Sequence, residues 1–267
     1  MSFSENADKR HTGRGEIDEG CAKRDGDGDR GEINERKLCE IDNIEASGGV
    51  VTGKRGDSIH CLSIIGQIEG HYLLPDGQKA TKYEHIIPML VSIEQDEDID
   101  GLLILLNTMG GDVEAGLAIA EVIASMRKPT VSVVLGGGHS IGVPLAVSGK
   151  KSFIVPSATM TIHPVRINGL VVGVPQTFTY FSEMQKRIIE FICTHSRAER
   201  KKIHELMMRP DMMATDVGSI IEGREAVEYG IIDEVGGLDK ALDALREMIR
   251  ERGDAGEARG ESARETF

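Results

Sequence analysis

Two residues of this chain stand where a hydroxyl-based acyl transfer could use them, Ser140 and His163. Ser140 stands in "GGGHSIGVPLAVSG" (136–149), behind one apolar run and ahead of a small apolar one. That order reads as strand, glycine-rich turn and helix start. It places a serine among backbone N–H groups that can hold a developing oxyanion. A serine hydroxyl is a weak nucleophile until a base takes its proton, and neutral imidazole is the usual acceptor near pH 7. "ATMTIHPV" supplies one, since His163 ends a β-like segment that Pro164 stops. The string "GHSIG" fits G-x-S-x-G letter for letter. The Ser…Asp…His order of an α/β-hydrolase does not follow, because His163 precedes the later acids. Residue types alone leave two plainer readings open, Ser140 as a helix N-cap and His163 as a strand-end residue. His139, adjacent to Ser140, is expected to point away from it and to serve structure or the rim of a site.

Other motifs fail on register. A phosphate cradle at 136–142 is excluded, since neither GxGxxG nor GK[ST] follows the strand. "DGDGDRGEINER" resembles a calcium loop, but from Asp25 its sixth position is Arg30 and its twelfth Arg36. "GGVVTGKR" imitates a Walker A loop, with Arg55 where a magnesium-holding Ser or Thr belongs. No stretch calls for a metal or an organic cofactor.

The net charge of −13 speaks against a generic nucleic-acid surface. Cys21, Cys39, Cys61 and Cys193 form no CxxC pair and read as free thiols in a reducing compartment. The charged N-terminus lacks the apolar region of a secretory signal, and the best apolar window, Pro129 to Gly149, is broken by glycines, His139 and serines. A cytoplasmic protein is the expectation.

The elements that must position Ser140 and His163 alternate. "SIHCLSIIGQI", "DGLLILLNT" and "TVSVVLGG" read as strands, the second continuously apolar as in a buried parallel sheet. Between them, helices run from about Lys82 to Glu94 and through "DVEAGLAIAEVIASM". "KSFIVPS" and "ATMTIHPV" are short strands. Residues 175–193 repeat apolar side chains every three or four positions, from Phe178 to Ile192, over an arc wider than one sheet face would cover. Helices over about 198–208, in "GREAVEYG" and in "LDKALDALREMIRER" follow. The class is α/β. An ordered domain over 57–252 is expected, between an acidic disordered tail, 1–56, and a second disordered tail, 253–267.

With these stretches in order, the sequence resembles the ClpP family of serine peptidases, the Clp protease proteolytic subunits. "IIGQIEGH" is similar to the family's first core strand, and "LLILLNTMGGDVEAGLAI" to its strand, "NSPGG" turn and helix. "GGGHSIG" lies where the family carries its nucleophile, "ATMTIHPV" where it carries "ARIMIHQP", and "EAVEYGIIDEV" is close to "EAVEYGLID". The wording "GGHSIGVPLAVSG" and the "GVPQTF" opening of the long helix are most similar to a branch of the family linked to protein export. The resemblance implies a ClpP/crotonase-type β-β-α spiral with a protruding handle helix at 175–193, through which subunits pair in a homo-oligomer. It implies Ser140 as nucleophile, His163 as general base, the N–H groups of Gly110 and Ile141 as oxyanion hole, and polypeptides as substrates.

Departures from the family are specific. Met109 replaces the proline of "SPGG". Counting back from "EAVEYG" puts Gly218 where the family has its aspartate, and leaves Asp216, two residues earlier, as the candidate acid. The acidic tail and the "YLLPDGQKATKY" insertion speak against docking to a Clp-type ATPase. Two functions follow: a serine peptidase acting on unfolded or pre-secretory chains, or a weakly active or non-catalytic oligomeric factor that assists the export machinery.

Overall fold

The apolar run at 101–106 becomes the middle of a twisted sheet. The structure is a computed structural model that describes residues 49–53, 57–75, 77–166, 173–210 and 217–264; for Gly49, Val50 and residues beyond 254 it describes backbone only. These residues belong to one unit, Glu40–Phe267, while a second unit, Met1–Cys39, lies outside the described residues together with Cys21, Cys39, the calcium-like loop and Asp216.

The described strands are β1 (Gly49–Thr52), β2 (Ile59–Glu69), β3 (Ala80–Lys82), β4 (Gly101–Gly111), β5 (Thr130–Gly138), β6 (Lys151–Ile154), β7 (Thr159–Ile162), β8 (Ser219–Glu222) and β9 (Glu234–Val235). The helices are α1 (Tyr83–Gln95), α2 (Val113–Ser125), α3 (Gly142–Val147), α4 (Val174–Thr194), α5 (Arg200–Met207), α6 (Gly223–Glu228) and α7 (Leu238–Arg264). The sheet runs β1-β2-β4-β5-β6-β9, with β2, β4, β5, β6 and β9 parallel and β1 antiparallel at the edge. β7 touches β5 at Gly137↔Thr159 and pairs antiparallel with β8.

Alternation along each strand divides the core into two layers. On one face, Ala241, Leu245 and Ile249 of α7 pack on Ile59, Leu103, Val131, Val133 and Phe153. On the other, Leu62, Ile104 and Leu106 meet Ile86 and Leu90 of α1 and Ile119 and Ile123 of α2. The motif "EYGIID" closes the sheet. Asp233 accepts from both the backbone N–H and the hydroxyl of Ser152 at 2.9 Å, and fastens the turn before β9 to β6.

Two boundaries differ from the sequence reading. Residues 49–52, placed there in the N-terminal tail, form β1, because the β-branched run VVT can satisfy the open edge of β2. The same residues are extended strand, not a phosphate-binding loop. At the other end α7 continues past Gly253 to Arg264, where alanine, glutamate and arginine propagate the helix against three glycines, Gly253, Gly256 and Gly260, that cost it about 1 kcal/mol each.

The parallel strands lose register where chemistry was expected. β2 and β4 shift at Gly66/Gln67, and β4 and β5 shift between Leu106 and Thr108. Asn107, paired with Ile65 of β2 but left out of the β4–β5 register, takes the Gly137 N–H on its Oδ1 at 2.9 Å. β5 takes up two extra residues there before it pairs with β4 again at Thr108↔Gly138, and the irregularity lies at the carboxyl ends of the parallel strands, where open α/β sheets place their ligand crevices.

Deep on β2, His60 is buried with neither ring nitrogen hydrogen-bonded, and burial holds its imidazole below the usual histidine range. The fold therefore keeps His60 neutral, while the unfolded chain takes up the proton below about pH 6.5. Stability is expected to be flat above that pH and to fall below it. Denaturation midpoints at pH 7.5 and 5.5 check this: His60→Leu should shrink the difference, and an unchanged difference would assign the slope to other groups.

Candidate active site

Ser140 is the turn residue between β5 and α3, and among the described residues it is the non-glycine residue with positive φ, +57°. Left-handed backbone costs an L-residue about 1–2 kcal/mol, so the surroundings must impose it. They do so with three backbone hydrogen bonds. His139 N–H donates to Thr108 O at 3.1 Å, Ser140 N–H to Thr161 O at 2.8 Å, and Gly142 N–H to His139 O at 2.8 Å. The first two tie the turn to β4 and β7, and the third closes it on itself. The N-cap of α3 is Ile141, and no side chain caps that helix. The plain reading of Ser140 as an N-cap is thereby corrected: its hydroxyl is not spent on the helix.

β7 brings His163 to the same place. Ser140, Ile141, Gly110 and His163 all line one cleft of about 290 Å³, floored by Val143, Ile162, Ile188, Ile192 and Met207. The His163 Nδ1 lies 2.6 Å from the carbonyl oxygen of Pro164. A carbonyl only accepts, so Nδ1 carries a hydrogen, and in the neutral ring Nε2 then holds the lone pair. That is the tautomer a base needs for a serine proton. His139 turns the other way, as expected. Its Nδ1 is 2.8 Å from Thr161 Oγ1, its ring lies against Gly137, and burial lowers its pKa.

Gly110 adjoins the serine: a Cβ there would fall 2.7 Å from Ser140 Cβ. Gly218, which the count back from "EAVEYG" sets against the family's acid, has φ +139°. A Cβ on it would fall 2.7 Å from His163 Cβ and 2.6 Å from Ile162 O, so this position touches the histidine but has no room for a side chain. Asp216 lies outside the described residues.

Residues 56–238 match the family model described as Clp protease. The chain belongs to the Clp protease family. It is 58% identical over 195 residues to the translocation-enhancing protein TepA of Halalkalibacterium halodurans, across 73% of this chain and 76% of that one. It is 28% identical over 157 residues to the ATP-dependent Clp protease proteolytic subunit of Lactococcus lactis, across 56% and 74%. A ClpP1 mutant from Listeria monocytogenes superposes with a TM-score of 0.54 at 22% identity, over 68% of this chain and 94% of that one, a likeness of fold. The α/β fold of this Clp protease domain is thus the ClpP-like one that the motifs implied, and α4 spans the residues which the resemblance assigns to the handle.

Two groups at this site escape a reading by motif. The Pro164 carbonyl is a backbone atom and has no letter of its own. The Thr108 hydroxyl, buried beneath Gly110, is flagged only by the polar residue ahead of "MGG".

Restoring the family's acid by Gly218→Asp should fail. The positive φ alone costs about 1–3 kcal/mol, and the Cβ contacts add to it. The thermal midpoint should drop by several degrees, whereas an unchanged midpoint would show that the loop yields freely.

Proposed function

We propose that this chain is a serine peptidase acting on unfolded or pre-secretory polypeptides. Ser140 is the nucleophile, His163 the general base and Asp216 the acid, with the N–H groups of Gly110 and Ile141 as oxyanion hole. The observation that carries the proposal is the turn at Ser140: a strained serine opens on a cleft shared with a histidine whose Nδ1–H is already committed. Ser140 Oγ attacks the peptide carbonyl carbon as its proton passes to His163 Nε2. The oxyanion gathers the two N–H groups, and the C–N bond breaks as the imidazolium returns the proton to the departing amine. Water, deprotonated by the same imidazole, then hydrolyses the acyl-enzyme. The apolar floor of the cleft suits an aliphatic side chain.

The Pro164 carbonyl fixes the tautomer from the backbone side, so Asp216 carries less weight here than in a triad that depends on its carboxylate. The free thiols Cys61 and Cys193 accord with a cytoplasmic setting, and no helix among the described residues is long and apolar enough to cross a membrane. Docking to a Clp-type ATPase is not part of this reading.

A second reading is an export-assisting factor with little hydrolysis. It rests on the side-chain-free position at Gly218 and on the name of the TepA relative. A fluorophosphonate serine probe separates the two. Under the first reading Ser140 is labelled and Ser140→Ala is not. Asp216→Asn should slow labelling by roughly ten- to a hundred-fold, short of the ~10⁴ loss of turnover known for a triad that depends on its carboxylate. Absence of labelling in the unaltered chain favours the second.

Either reading includes a homo-oligomer joined through α4. Arg187 of α4 pairs with Glu114 of α2 at 2.8 Å, which anchors the helix in its own subunit. Toward its N-terminus Val174, Phe178 and Tyr180 stay exposed, Phe178 at 73%. Phe178→Glu should shift the sedimenting species to lower mass, and an unchanged distribution would put the subunit contact elsewhere.

A further inference from the structure

Thr108 stands at the end of β4, only 1% exposed, where the strand leaves register with β5. Its hydroxyl does two things. It donates to Gly66 O at 2.6 Å, and its oxygen accepts the Gly110 N–H at 3.1 Å. The first bond is short and consumes the only hydroxyl hydrogen, so a lone pair is left facing Gly110. The second bond is long, and it is the one that can open. Gly110 itself lies against the nucleophile, a Cβ there being 3.3 Å from Ser140 Oγ. An N–H carries one hydrogen and cannot point fully at both Thr108 and an oxyanion above Ser140.

We propose that Thr108 is a positioning residue that latches the Gly110 N–H away from the oxyanion site until the tetrahedral intermediate forms. This rests on the serine peptidase reading of Ser140. The release is built into the backbone: Gly110, at φ +91°, lacks the Cβ that would resist rotation of the peptide between Met109 and Gly110. A neutral substrate carbonyl competes evenly with the threonine oxygen for the N–H. A charged oxyanion does not, because charge-assisted hydrogen bonds are roughly twice as strong as neutral ones. The latch is therefore felt in the chemical step and not in ground-state binding. Met109, 65% exposed on the lip of the cleft, is the residue whose peptide must turn.

The test uses the full-length chain, a fluorophosphonate probe, and Thr108→Val beside Thr108→Ser. Thr108→Val keeps the shape and removes the acceptor. It should raise the limiting rate of Ser140 phosphonylation by roughly two- to ten-fold, the net weight of one neutral hydrogen bond, with the half-saturating probe concentration unchanged. Thr108→Ser keeps the hydroxyl and should return the rate to the slow value. Hydrogen exchange at the Gly110 amide should quicken in Thr108→Val and not in Thr108→Ser. Labelling at Ser140 that Thr108→Val does not accelerate overturns the latch and leaves the peptidase reading standing. No labelling in any version of the chain overturns both. If Thr108→Val does not fold, the unaltered chain decides: phosphonylation of Ser140 should move the Gly110 amide proton resonance downfield, and an unmoved resonance overturns the latch.

Discussion

Everything at this site depends on the backbone clamp that holds Ser140 in a left-handed turn. Thr108 O on one side and Thr161 O on the other accept the N–H groups of His139 and Ser140. One clamp arm belongs to β4, which carries Gly110, and the other to β7, which carries His163. The turn cannot relax without letting go of the strands that deliver its partners. The strain of the serine, about 1–2 kcal/mol, is small against the burial of Leu106, Val134, Met160 and Ile162 around it. A packed sheet sustains one unfavourable residue where an isolated turn would not.

Much of this architecture was legible because its signals are local. The continuous run at 101–106 has no solvent face, so it had to be a central parallel strand. The helix at 113–125 declares itself through Asp112, whose side chain takes the Ala115 N–H at 2.9 Å, and through its apolar face. Ser140 and His163 were legible as types in the right order, and the structure puts both on one cleft. The edges were not. β1 exists because β2 offers an unpaired edge, a partner twelve residues of pattern cannot announce, as the pairing Val51↔His60 illustrates. The reach of α7 to Arg264 depends on propensity without burial, where polar composition reads equally as tail.

The acid of the proposed catalytic group illustrates a different limit. Alignment by letters finds a glycine where an acid belongs and looks for a carboxylate nearby. The structure adds two physical facts. Position 218 is pressed so closely on His163 and Ile162 that only glycine fits, which turns the missing acid from a gap into a constraint. The imidazole is oriented by Pro164 O, a group that no motif search contains. A backbone carbonyl lacks the charge to stabilise an imidazolium as a carboxylate does, but it selects the same tautomer. Tautomer choice and charge stabilisation are thus separate tasks, and the backbone performs the first of them.

The central claim is that the Pro164 carbonyl presents Nε2 of His163 as the base for Ser140. Nitrogen-15 NMR of the neutral His163 ring tests it most directly. The account predicts a protonated Nδ1 and an unprotonated Nε2, both in the unaltered chain and in Asp216→Asn. A ring protonated on Nε2 in either protein, or one that changes tautomer when Asp216 loses its charge, would contradict it.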